Sequence, residues 1–302
     1  MTTLDWRSLY PFDSAWHPLP AGQMHYVDQG GTPGPQQTLL FVHGNPTWSF
    51  HWRNLITQLA GRYRTIAPDH LGCGLSDKPP RAFCLADHIE HLVSLVDRLD
   101  LKRVTLVAQD WGGAIGLGTL LQRPERFERI VLFNTGAFPP WYIPRRIALC
   151  RWPVVGRLAV QGGNAFARAA LRMTLHRRQR LDPAVEAGCL APYDRWAHRR
   201  QIYEFVADIP MNQRHPTWQT LSQIEQGLPT LAQLPILLVW GMRDWCFRPD
   251  CLEKFVSYWP QAEVHRLEDV GHWVVEDAPQ EASATVEEFL QRTIPIAAPQ
   301  PQ

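Results

Sequence analysis

Ala108-Gln109-Asp110-Trp111-Gly112-Gly113 follows the apolar run Val104–Ala108 and opens the small-residue segment Gly113–Leu121. The pattern is strand, tight turn, helix, with small residues on both sides of one central side chain. That is the nucleophile elbow, small-x-nucleophile-x-Gly. Small residues are required because the turn brings the strand and helix backbones together. Serine is the usual occupant of the centre, and here it is Asp110. An aspartate in an elbow can attack carbon and form an ester with the substrate. If water then breaks that ester, a base is required. The bland alternative is that Asp110 only caps the following helix.

Working outward, the same alternation continues along the chain. Leu39–Val42 runs into His43-Gly44-Asn45-Pro46, and Tyr63–Pro68 runs into a turn-rich loop. Residues 85–99 carry apolar side chains at helical spacing. Further strands are expected at Ile130–Phe133, Ile236–Trp240 and Ala262–Leu267, with a closing amphipathic helix over Glu281–Leu290. Strands alternating with helices predict an α/β fold, a mostly parallel sheet covered by helices on both faces. Residues 138–214 interrupt the alternation with a helical, basic segment rich in Trp and Pro. The expected organisation is therefore a core over 1–137 and 215–295, an inserted helical cap over 138–214, and a disordered tail over 296–302.

Two more residues complete a candidate constellation. His272, in Asp269-Val270-Gly271-His272-Trp273, follows the last strand and is the candidate base. Asp244, in Trp240-Gly241-Met242-Arg243-Asp244, follows the preceding strand and is the acid that would orient it. The order nucleophile, acid, histidine is the one this fold uses. Each fragment alone is common, and three of them in order, each after a strand, are specific. After the first core strand, the loop at Asn45 would supply backbone N–H groups for an oxyanion hole. The Asn45 side chain and the Trp111 indole N–H would both point at the leaving atom. Two neutral donors suit a halide or a lactone oxygen that gains charge. Turn satisfaction for Asn45 and packing for Trp111 are the structural alternatives.

Composition limits the remaining classes. The 302 residues are 45% hydrophobic and 20% charged, which suits a folded globular chain and argues against wholesale disorder. No run of about 18 apolar residues is present, so no transmembrane helix is expected. The opening MTTLDWRSLY carries an acid and an arginine where a secretion signal needs an apolar run, so the expected location is cytoplasmic. Six cysteines without a C-x-x-C pair read as free thiols, and no metal-ligand spacing occurs. No metal or organic cofactor is implied. The net charge of +1 hides an asymmetry: residues 138–214 hold 13 arginines, no lysines and five acids, about +8, leaving the rest about −7. Such a segment can attract anionic lipid, nucleic acid or an acidic protein. No nucleic-acid motif accompanies it, and an arginine-rich solvated surface explains it as well.

The motifs HGNPTWSFHWR (His43–Arg53), PDHLGCGLSDKP (Pro68–Pro79) and QDWGGAIG (Gln109–Gly116) resemble the haloalkane dehalogenase branch of the α/β-hydrolase superfamily. The resemblance covers residues from about 30 to 295. Epoxide hydrolases share the fold but usually carry an aromatic residue where Asn45 stands and depend on two cap tyrosines, for which this chain offers Tyr142, Tyr193 and Tyr203. Fluoroacetate dehalogenases usually have arginine after the nucleophile, where Trp111 stands. Some members of the branch place the acid after the strand preceding the cap; here Leu132-Phe133-Asn134-Thr135-Gly136-Ala137 holds no acid, which leaves Asp244. Asp244 with Asn45 and Trp111 resembles the third subgroup, which contains the cis-β-lactone decarboxylases of bacterial long-chain olefin biosynthesis. Leu190–Trp196, Asp208-Ile209-Pro210, Phe133–Pro139 and Trp240–Phe247 resemble that subgroup too. The resemblance implies conversion of a cis-3-alkyl-4-alkyloxetan-2-one to a cis-alkene and CO2. The alternative is hydrolysis of an alkyl halide, and an epoxide is the lesser one. Asp110 would open the lactone at the carbonyl or at the ring C–O carbon, and the sequence leaves both open. Trp141, Tyr142, Trp152, Phe166 and Trp196 are expected to line an apolar pocket. Association with other olefin-forming enzymes is a further implication; pure scaffolding is the competing reading from another class.

Overall fold

A computed structural model describes residues 5–31, 37–178 and 180–293. The expected tail, 296–302, lies outside the described residues. In chain order the first half runs β1 (Ser14–Leu19), β2 (Gly22–Gln29), β3 (Thr38–Val42), α1 (Arg53–Leu59), β4 (Arg64–Pro68), α2 (Leu85–Arg98), β5 (Val104–Asp110), α3 (Trp111–Gln122) and β6 (Phe127–Thr135). Helices α4 (Arg145–Cys150), α5 (Val155–Gln161), α6 (Ala165–Met173), α7 (Pro183–Leu190) and α8 (Arg200–Ala207) come next, with no strand among them. The chain then continues through α9 (Pro216–Gly227), β7 (Ile236–Gly241), α10 (Pro249–Tyr258), β8 (Glu263–Leu267), α11 (Val274–Asp277) and α12 (Pro279–Arg292).

The eight strands form one sheet in the order β1-β2-β4-β3-β5-β6-β7-β8. β2 pairs antiparallel with both β1 and β4, and every other pairing is parallel. The central parallel strands β3, β5, β6 and β7 are buried on both faces, which is why they read as largely apolar runs, whereas the edge strand β8 is mostly part-exposed. Alternate residues still divide between two cores, as the two-residue period of a strand requires. Leu40, Val42, Leu106, Leu132 and Leu238 face α2, α3, α9 and α10. Leu39, Phe41, Val107, Val131, Phe133 and Val239 face α1 and α12.

The first hairpin, β1–β2, has no counterpart in the sequence reading. β1 buries one residue of six, His17, so it carries no apolar alternation to detect. All six cysteines are free. No helix among the described residues is long and apolar enough to cross a membrane.

Parallel pairing decides where chemistry can occur. β3, β5, β7 and β8 all end on the same edge of the sheet. Strand β3 lies between β4 and β5, so successive connections leave it in opposite directions. Such a switch point opens a crevice beyond the strand ends. Val42 pairs with Ala108, which sets the loop after β3 beside the turn after β5.

Candidate active site

Asp110 is the last residue of β5, with φ 54° and ψ −131°. This backbone conformation is rare for a residue with a Cβ, and it turns the chain directly into α3. The crowding of the turn explains its glycines. A Cβ on Gly112 would lie 2.1 Å from the Val42 carbonyl oxygen, and one on Gly44 would lie 2.2 Å from Asp110 Oδ1. The Thr135 hydroxyl donates to the Asp110 carbonyl at 2.5 Å and braces the turn from β6.

The Asp110 carboxylate does not cap α3. Its Oδ1 accepts the Asn45 backbone N–H at 2.6 Å, and its Oδ2 lies 3.6 Å from His272 Nε2. The Asn45 N–H, expected from sequence to belong to an oxyanion hole, holds the carboxylate of Asp110 in this structure. The physical reason is proximity: β3 and β5 are adjacent, and Gly44 lets the loop close on the turn.

His272 Nδ1 donates to Asp244 Oδ2 at 2.7 Å, and Asp244 Oδ1 accepts the Cys246 N–H at 2.6 Å. Asp244 is therefore buried behind the imidazole with both oxygens engaged. Burial alone pushes the His272 pKa down. The Asp244 charge, with hydrogen bonding and charge from Asp110 and Asp244, outweighs burial and raises it to about 10. The ring is thus held as imidazolium beside the Asp110 carboxyl group.

Several residues that the sequence reading passed over hold this arrangement. Gln109 donates to the His272 carbonyl and accepts from His51 Nε2 at 2.5 Å. Asn134 lies near the end of β6, beside the end of β7. There it accepts the Gly241 N–H at 2.7 Å and donates to the Gly241 carbonyl at 3.0 Å, fixing the end of β7 that leads to Asp244. Buried Asp277 accepts N–H groups from Gly271, His176, Arg177 and Arg178, tying the histidine loop to the segment after α6. Asp69, from the PDHLGCGLSDKP loop, accepts from Ser49, Leu75 and His25. Only local polarity marked these side chains in the sequence, because their partners are far away along the chain.

Asp110, His272, Asn45 and Trp111 all line one cavity of 370 Å³. Its other walls are mainly apolar and come from Phe138–Pro144, α4, α6, the end of α8 with Ile209 and Pro210, and Trp245–Phe247. Among the described residues no protein group accepts from the Trp111 indole, whose ring packs on Phe205 at 5.4 Å. Asn45 Nδ2 donates one N–H to the Ile202 carbonyl of α8 at 3.1 Å, so only its second N–H remains for a ligand. Of the aromatic residues expected at the pocket, Trp141, Tyr142 and Phe166 line it. Trp152 and Trp196 do not; they are 60% and 42% exposed on the outer surface. Local sequence could not separate the two groups, because both belong to a segment rich in aromatic residues throughout. Tyr193 is fully buried away from the cavity, donating to the Thr47 carbonyl, and Tyr203 reaches toward the Pro153 carbonyl. Only Tyr142 of the three cap tyrosines borders the cavity.

An elbow aspartate, a buried acid and a histidine at the ends of parallel strands define an α/β-hydrolase. The alpha/beta hydrolase fold family matches residues 37–279, and the chain belongs to it. Within that family it is 37% identical over 298 residues to the cis-3-alkyl-4-alkyloxetan-2-one decarboxylase of Shewanella oneidensis, covering 96% of this chain and 92% of the relative. The decarboxylase of the same name from Xanthomonas campestris is 36% identical, covering 90% and 94%. Haloalkane dehalogenase 2 of Mycobacterium bovis is 33% identical, covering 93% and 96%. The crystal structure of haloalkane dehalogenase DatA from Agrobacterium tumefaciens superposes with a TM-score of 0.84 at 25% identity, covering 93% and 96%.

Proposed function

We propose that this protein is an enzyme that converts a cis-3,4-dialkyl β-lactone to a cis-alkene and CO2, with Asp110 as nucleophile. The observation that carries the reading is the clamped carboxylate. Asn45 N–H holds one oxygen and His272 flanks the other, while both face an apolar cavity floored by two neutral donors. The similarity to the two decarboxylases supports the lactone over the halide.

The same clamp favours opening at the ring C–O carbon. The backbone N–H that would stabilise a lactone carbonyl oxygen is already engaged by Asp110. Attack at carbon forms the Asp110–carbon bond and breaks the ring C–O bond. The departing carboxylate oxygen gains charge toward Trp111 and the free N–H of Asn45. The resulting ester carries a carboxylate on the adjacent carbon. Loss of CO2 from that carbon supplies the electron pair of the new double bond, and the Asp110 oxygen leaves with the pair of its ester bond. Inversion followed by anti fragmentation yields the cis-alkene from the cis-lactone without water. An alkyl halide ester has no such carboxylate, so it needs water. Esterification removes the Asp110 charge beside His272, and the ring pKa falls, which frees Nε2 to act as base. Asp244 holds the ring in the required tautomer.

In this reading residues 138–214 form the cap that closes the cavity over the 1–137 and 215–295 core. It acts in the cytoplasm and associates with other olefin-forming enzymes. The epoxide reading lacks support, because Tyr193 and Tyr203 are engaged elsewhere.

The test is a paired product assay on purified protein. One reaction receives a cis-dialkyl β-lactone, kept cool beside a no-enzyme control; the other receives 1-bromo- and 1-iodoalkanes. Alkene well above the control with slow halide release supports the decarboxylase. Rapid halide release without alkene makes the protein a dehalogenase. Turnover that survives Asp110→Ala removes the nucleophile assignment.

A further inference from the structure

Residues 138–181 contain nine arginines, no lysine and no acidic residue. Arg177 pairs with Asp269 and Glu281, and Arg180 pairs with Glu186. The other seven form no ion pair among the described residues. Within the same segment lies a dense group of exposed apolar side chains: Leu149, Trp152, Val154, Val155 and Leu158, each between 51% and 71% exposed. Scattered surface leucines need no explanation, but five such residues within ten positions do. Arg145 and Leu149 are one turn apart on α4, and Val154 and Leu158 are one turn apart at the start of α5, with Arg157 beside them. The two helices pack against each other. The result is an apolar face with cations at its margin; the acids that reach these cations, Glu204 toward Arg157 and Asp208 toward Arg151, come from α8 and the residue after it.

This face adjoins the cavity. Arg146, Ile147 and Cys150 of α4 line the cavity, whereas Leu149 of the same helix faces out. One short helix therefore separates the cavity from the exposed apolar surface.

We propose that the α4–α5 face docks on an anionic lipid bilayer. Trp152, Val154 and Leu158 enter the boundary between headgroups and acyl chains, and Arg145 and Arg157 meet the headgroup charges. Charge complementarity selects this occupant. Residues 138–214 carry about +8 and the rest of the chain about −7, so an anionic surface is attracted to this segment and repelled by the net charge of the remainder. The inference does not depend on the lactone reading; any apolar substrate dissolved in the bilayer would lie next to the cavity wall.

The experiment is co-sedimentation of the full chain with phosphatidylcholine vesicles, with and without phosphatidylglycerol, at low and high salt. The expected result is binding that requires phosphatidylglycerol and weakens with salt. Arg145→Gln and Arg157→Gln each lower partitioning about fivefold. Trp152→Ser with Leu158→Ser abolishes it, while turnover of a short water-soluble substrate and the melting temperature stay at the native values. Absence of binding to either vesicle overturns the proposal. So does binding that these variants leave unchanged. Vesicle-independent self-association that Trp152→Ser removes also overturns it, assigning the face to a second copy of the chain.

Discussion

Asp244→Asn isolates the charge on the buried His272 ring. In the native protein that ring titrates near 10, against an ordinary value of about 6.5. The folded state therefore keeps a proton that the unfolded chain loses near pH 6.5. The stability from this group is complete below about pH 6.5 and is lost as the pH rises through 10. For one proton, moving from pH 7 to pH 9 removes about 2–3 kcal/mol. An unfolding entropy of about 2.1 cal/mol/K per residue turns this into a fall of about 4 °C in Tm for a chain of this length. In the variant, the asparagine oxygen still accepts the Cys246 N–H, but its NH2 group faces His272 Nδ1. Burial then lowers the ring pKa with only Asp110 opposing it, so the same pH step costs under about 1 kcal/mol. Thermal melts of both proteins across pH 6.5–9.5 make the test, and the difference between the two curves cancels every other titrating group. Parallel curves would refute the claim that Asp244 holds the ring as imidazolium.

The remaining predictions concern the chemistry and the turn. His272→Phe exposed to a 1-iodoalkane should retain one alkyl group on Asp110, seen as a mass increase of the intact protein; an unmodified mass argues against the ester. With the β-lactone in 18O-labelled water, native protein should form alkene without label entering Asp110, whereas labelled Asp110 would mean that water breaks the adduct. Asn45→Ala and Trp111→Phe should each slow the chemical step roughly 10- to 1,000-fold, and unchanged turnover in both removes them from the site. Gly112→Ala forces a carbon against the Val42 carbonyl and should destabilise the fold by roughly 2–4 kcal/mol; an unaltered melt would show that the turn is looser than described.

Most of the buried sheet was legible. The central parallel strands are buried on both faces, so they stand out as apolar runs, and β3, β5, β6 and β7 fall within a few residues of the expected spans. α2 was equally clear, because its buried face repeats at helical spacing. The β1–β2 hairpin was silent, since β1 buries only His17 and the buried residues of β2, Met24, His25 and Val27, do not alternate as apolar and polar. In the candidate site, Asp110, Asp244 and His272 were legible because each stands at, or a few residues past, the end of a strand. Gln109, Asn134 and Asp277 were not, because what they do depends on carbonyls and N–H groups up to 163 positions away.

The sequence by itself determined the fold, the chain order of Asp110, Asp244 and His272, and the glycines of the elbow. These follow from periodicity and from local crowding, which act over a few residues. The tertiary structure decided that the Asn45 N–H holds the Asp110 carboxylate, and which aromatic residues face the cavity and which face out. Those outcomes depend on which strands lie side by side and how the helices between β6 and β7 pack, and contacts between distant segments leave no mark on either segment alone.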